Sequence, residues 1–113
     1  MKKTNPIHAT KFDINHKILN EFSDLESRHI LFSIISKSKS VQEITKELKI
    51  PLSSTYKKIQ SLEENALISS ELIFANNGHR VKLYQSRIMD ANIIISKFKP
   101  TITFKKNLKN QNV

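Results

Sequence analysis

The chain has 113 residues, a formal net charge of +9 from 19 Lys+Arg against 10 Asp+Glu, and no cysteine. That length suits one compact domain with a modest core and argues against a second one. The missing thiols exclude a disulfide frame, a thiolate metal site and a cysteine redox switch, and the positive balance favours a polyanionic partner: nucleic acid, an anionic membrane or an acidic protein.

Residues 1–14 are polar, contain Pro6 and offer only Ile7, Phe12 and Ile14 as anchors, so they read as a flexible arm able to order on a partner. Lys2 and Lys3 lead into Thr4-Asn5-Pro6 and not into a secretory apolar core, and no apolar run approaches the roughly 20 residues needed to span a bilayer. The expectation is a cytoplasmic, nucleoid-associated protein without a membrane partner.

From Asn15, a candidate helix cap, Ile18, Leu19 and Phe22 make a short helical stripe. Ser23 with Glu26 has the spacing of a capping box, predicting a helix near residues 25–36 that buries Ile30, Leu31, Ile34 and Ile35. The polar run 36–40 is a connector. Ser40 and Glu43 form a second capping-box signature, and Val41, Ile44 and Leu48 set the apolar rhythm of a helix over about residues 41–49. The turn Lys49-Ile50-Pro51-Leu52 buries Ile50 and brings Pro51 to the first turn of the next helix, predicted over 53–65. On that helix Leu52, Thr55, Ile59, Leu62 and Ala66 fall on one face at about 100° per residue, whereas Ser53, Lys57, Gln60 and Ser61 fall opposite with Tyr56 beside them. Taken alone, this is the pattern of any amphipathic surface helix.

Two runs rich in β-formers, 68–75 and 81–88, flank Asn76-Asn77-Gly78-His79, and Asn-Gly is a strong hairpin signal. His79 and Arg80 sit at its tip, with Lys82 and Arg87 further along one strand, although charge on a hairpin is often only a solvated edge. Residues 91–96 and 101–104 suggest a second pair of strands turning over Lys97-Phe98-Lys99-Pro100. The expected organisation is therefore an arm at 1–14, a domain over 15–90, a hairpin over 91–106 packed on it, and a basic, polar tail over 107–113.

The order of these pieces resembles a winged helix-turn-helix DNA-binding domain, of the type found in arsenic-repressor-like (ArsR-like) and related archaeal transcription regulators. The resemblance spans about residues 16–88 and is carried by FSDLESRHIL at 22–31, by the two-helix unit over 40–68, and by the hairpin at Asn77-Gly78. It implies an α+β fold of three to four helices and a β-hairpin wing, with the hairpin over 91–106 as an addition. The family usually has Gly where this chain has Lys49 and again near Ala66, and Asn65 is a candidate for the second of these left-handed positions.

Other chemistries find little support. His8, His16, His29 and His79 are far apart and lack partners at ligand spacing, so no metal is expected. Glu63 and Glu64 are adjacent and point apart on a helix, and a chain whose one glycine is Gly78 has no phosphate-cradling loop. Neither an enzyme nor a cofactor is expected. The reading is a basic, sequence-specific regulator of transcription that binds double-stranded DNA, with a homodimer left open. Gln60 is the leading base-reader because its amide can bond bidentately to adenine, followed by Tyr56 and Ser53. Lys57 and Lys58 serve base or phosphate, Ser54 and Ser61 complete the helix contacts, and His79, Arg80 and Lys82 form the wing contacts, with Arg80 reaching the minor groove or its phosphates. The rival readings are the same fold binding RNA or an acidic protein, or a sequence-neutral nucleic-acid binder.

Overall fold

A computed structural model describes residues 13–110. Its first helix, α1 (Ile14–Ser23), is capped by Asp13 and not by the expected Asn15: the Asn15 amide donates to the Asp13 carboxylate at 2.8 Å. The second, α2 (Leu25–Ser33), is capped by Asp24, whose Oδ2 accepts from the Ser27 amide at 3.0 Å and from the Ser27 hydroxyl at 2.7 Å. The Ser23–Glu26 box therefore does not form. Asp24 lies one residue nearer the helix, and the Ser23 hydroxyl instead donates back to the Asn20 carbonyl at the end of α1. Helix α2 ends three residues before the expected boundary; Ile30, Leu31 and Ile34 are buried, and Ile35 only half so.

The helix α3 (Val41–Leu48) forms as its sequence predicts, with both capping-box bonds present: Glu43 N–H to Ser40 Oγ at 3.2 Å and Ser40 N–H to Glu43 Oε1 at 3.1 Å. Lys49 ends it in the left-handed region at φ 56°, the position where Gly is usual. Pro51 precedes α4 (Leu52–Glu64) as its cap residue, and its carbonyl accepts from both the amide (3.0 Å) and the hydroxyl (2.9 Å) of Thr55. The second left-handed site falls on Ala66 (φ 59°), not on Asn65 (φ −88°), so that the Ala66 and Leu67 amides reach the carbonyls of Glu63 and Leu62 at 3.0 Å each.

Two antiparallel hairpins follow. The first pairs β1 (Ile68–Phe74) with β2 (Arg80–Ser86). Its loop is closed by Gly78 N–H to Ala75 O at 2.9 Å and Ala75 N–H to His79 O at 2.8 Å, with Gly78 at φ 81° supplying the left-handed residue of a three-residue loop. The second pairs β3 (Ile88–Ser96) with β4 (Lys99–Lys106), with a register shift between Ile88 and Asp90. Its turn is Lys97-Phe98 alone, Lys97 taking φ 62°. Pro100, expected in the turn, is buried within β4 opposite Ile95, where a two-stranded ribbon has an edge free for a residue without an N–H.

The core gathers Ile30 and Leu31 of α2, Ile34 just beyond its end, Ile44 of α3, Ile59 and Leu62 of α4, and Leu67, Ile68, Tyr84 and Ile88. The second hairpin joins it through Ala91, Ile93 and Ile102 and packs on α1, the rings of Phe22 and Phe104 lying 6.4 Å apart. The 36–40 connector is tied to the first hairpin by paired bonds between Lys39 and Tyr84, at 2.9 and 2.8 Å. Residues 107–110, expected to begin a tail, fold back instead. The buried Asn107 amide donates at 2.8 Å to both Ile35 O and Ser86 O, and Asn110 donates to Ser69 Oγ at 2.8 Å and Ser86 O at 3.0 Å. Among the described residues no helix is long and apolar enough to cross a membrane.

Candidate nucleic-acid interface

Helix α4 presents three faces. Thr55, Ile59 and Leu62 are buried in the core, as their spacing predicts, but Leu52 is 46 % exposed and Ala66 is exposed, because each lies at or beyond a helix end where the chain turns off the core. A second stripe, Lys58, Ser61 and Asn65, is turned toward the α1–α2 junction. Lys58 Nζ donates to Asp24 Oδ2 at 2.6 Å and lies 3.7 Å from Glu26, the Ser61 hydroxyl donates to Glu21, and the Asn65 amide reaches the same Glu21 oxygen at 2.8 Å. The Lys58 ammonium and the Ser27 donors hold the Asp24 carboxyl down at about 2, and the Asp24 partner raises Lys58.

The third face is open. Ser53, Tyr56, Lys57 and Gln60 are exposed, and Glu64, one turn beyond Gln60, continues the same stripe. Of the residues singled out in sequence, the structure thus brings Ser53, Tyr56, Lys57 and Gln60 together, leaves Ser54 half-buried at their margin, and engages Lys58 and Ser61 internally. In sequence Glu64 stands out only as the neighbour of Glu63; its place on this face follows from standing one turn beyond Gln60. The engagement of Lys58 had no local signal, since its partner lies 34 residues away.

Beside this face stands the first hairpin. Arg80 opens β2, opposite Phe74, with its guanidinium carbon 5.9 Å from the Phe74 ring centroid. Lys82 lies 3.8 Å from Glu63 and 5.6 Å from the Tyr84 ring, whose phenol is pushed up by burial. His79 is exposed at the tip, its amide held by Asn77 Oδ1 at 3.1 Å. Between hairpin and helices runs a groove of about 440 Å³ walled by Val41, Gln42, Tyr56, Leu72, Arg80, Lys82 and Tyr84. A face of hydroxyls, an amide and a lysine therefore meets a groove with aromatic walls and a cationic rim. No group of His, Cys, Asp or Glu among the described residues could hold a metal ion.

No protein-family model matches the sequence, and no curated protein matches it. Among solved structures, the crystal structure of NolR from Sinorhizobium fredii superposes with a TM-score of 0.58 at 17 % identity, covering 76 % of this chain and 81 % of that one. The fold is a winged helix. Helices α3 and α4 are its helix-turn-helix, β1–β2 is its wing, and the Lys39–Tyr84 bridge fastens the base of that wing to the connector before α3. The hairpin β3–β4 and the Asn107–Asn110 turn are laid onto this frame, the first against α1 and the second against the wing's base.

Proposed function

We propose that this protein is a DNA-binding regulator of transcription that reads a preferred duplex sequence with α4 and steadies itself on phosphate with its wing. The observation that carries the reading is the open stripe Ser53, Tyr56, Lys57 and Gln60 on the second helix of a winged helix-turn-helix, next to a wing that carries Arg80 and Lys82. In helix-turn-helix proteins that helix enters the major groove, where side-chain amides and hydroxyls find the base-edge pattern unique to each pair. The charge of +9 supplies the long-range attraction, and the resemblance of residues 22–31 and 40–68 to arsenic-repressor-like and archaeal regulators supports the same role.

Gln60 is the principal base-reader, with Tyr56, Ser53 and Lys57 contributing; Ser54 is a margin contact, His79 and Lys82 lie along the backbone, and Arg80 reaches the minor groove or its flanking phosphates. Lys58 and Ser61 act on DNA through the angle at which Asp24 and Glu21 hold the helix. As in other regulators of this architecture, a homodimer on a two-fold symmetric site belongs to the reading. Selection of bound duplexes from random sequence tests it. A recovered motif, whose binding is weakened by Gln60→Ala by about 1–3 kcal/mol while mixed-sequence binding is unchanged, is the expected result. Equal loss on both substrates, or preference for RNA over duplex DNA, overturns it.

A further inference from the structure

The wing carries more apolar surface than a solvated hairpin edge requires. Leu72 is 55 % exposed and Phe74 70 %. Strand alternation and the register Leu72↔Lys82, Phe74↔Arg80 put these two residues on the same face as the two cations. That face is the one that walls the groove beside Tyr56. Near the tip, the Phe74 ring carries the Arg80 guanidinium at 5.9 Å, and the loop beyond it is pinned by two backbone bonds. The wing thus ends in an exposed aromatic ring with a cation beside it, on a hairpin whose loop backbone is held.

We propose that Phe74 and Arg80 form a wedge for the minor groove of duplex DNA: Arg80 enters the groove, and the Phe74 ring presses on the sugars and the adjoining base step, unstacking it and bending the duplex away. Minor-groove proteins that bend DNA use this pairing of cation and apolar side chain, kinking the duplex by about 20–90° toward the major groove. The pairing suits the groove chemically. The narrow minor groove of A·T tracts concentrates negative potential, which favours the guanidinium, while pyrimidine–purine steps unstack readily, which favours the ring. A polar residue at 74 would remove both the apolar wedge and the ring that lies 5.9 Å from the Arg80 guanidinium. The inference rests on the DNA-binding reading above and adds a second source of specificity, in sequence that the wing deforms without reading its bases.

The test uses the full chain and end-labelled duplexes carrying either the selected site or mixed sequence, with bending followed by energy transfer between the ends and binding by anisotropy. Wild type should bend the selected duplex. Phe74→Ala should reduce the bend by about 20° or more and leave the slope of log affinity against log salt unchanged, because no cation is lost. Phe74→Leu, which keeps an apolar wedge, should retain most of the bend. Unchanged melting of both variants is expected of so exposed a position. If wild type binds without bending, or Phe74→Ala bends as wild type does, the wedge is wrong while the DNA reading stands. Failure of wild type to bind any duplex removes both. Binding of wild type but not Phe74→Ala to phosphatidylserine vesicles, without a duplex bend, would reassign the ring to a membrane surface.

Discussion

Ala66 holds its backbone at φ 59°, and Lys49 at φ 56°, positions where a Cβ crowds the neighbouring carbonyl. Ala66→Gly should therefore raise stability by about 0.5–1 kcal/mol, relief of strain outweighing the added freedom of the unfolded chain; chemical denaturation with unchanged m-value checks it. Loss of stability would mean that the Leu67 amide bond to Leu62 tolerates no adjustment. Ile59, 2 % exposed on the inner face of α4, should cost about 2–5 kcal/mol when cut to Ala, a large share of the stability of a domain this size. These positions were legible in sequence to different depths. The period of Thr55, Ile59 and Leu62 marks the inner face, and the two left-handed sites are implied by the resemblance to winged helix-turn-helix regulators, in which glycine is usual there. Which residue takes the second site depends on where the last turn of α4 stops, and periodicity does not resolve that to one residue.

At the scale of elements, α4 is clamped from behind by carboxylates of the α1–α2 junction, Glu21 on Ser61 and Asn65, and Asp24 on Lys58. Asp24 has its folded pKa lowered from 3.8 to about 2, so its pairing stabilises the protein above about pH 4 and is lost as pH falls toward 2. With its side chain 43 % exposed, solvent screening limits the effect to below about 1 kcal/mol. Asp24→Asn should flatten the decline of stability over that window, and an unchanged acid profile would show the pair to be idle. A larger effect is expected at the tail of the domain. Asn107→Leu removes two hydrogen bonds, to the carbonyls of Ile35 and Ser86, which keep only Gln85 and Asn110 as side-chain donors, and should cost about 1–3 kcal/mol, read by thermal or urea unfolding. Neither clamp was visible in the chain. The capping box of α3 and the loop at Gly78 are local and were legible, whereas Lys58 with Asp24 and Asn107 with Ile35 join residues 34 and 72 positions apart. An asparagine among lysines near the end reads as a solvated tail until the carbonyls it satisfies are seen.

The whole molecule is a winged helix with α4 fixed on its inner sides, a cationic wing, and a second hairpin against α1. On the proposed DNA-binding function, its charge of +9 makes association weaken steeply with salt. Arg80→Ala should lower affinity for all duplexes by a similar factor and make the log–log salt slope shallower by about one, in contrast to Gln60→Ala, which should leave that slope in place. Identical slopes in the two variants would take Arg80 out of the DNA contact, groove and phosphate alike. The fold class followed from short-range signals in order, while the closing segment did not, and that segment bears on the life history of the chain. Because Asn107 and Asn110 satisfy carbonyls at the end of α2 and the base of the wing, a nascent chain on the ribosome cannot finish the wing's base until residues 107–110 have emerged. The helices, whose mutual clamps reach no further along the chain than Asn65, can pack first, and the base of the wing matures last.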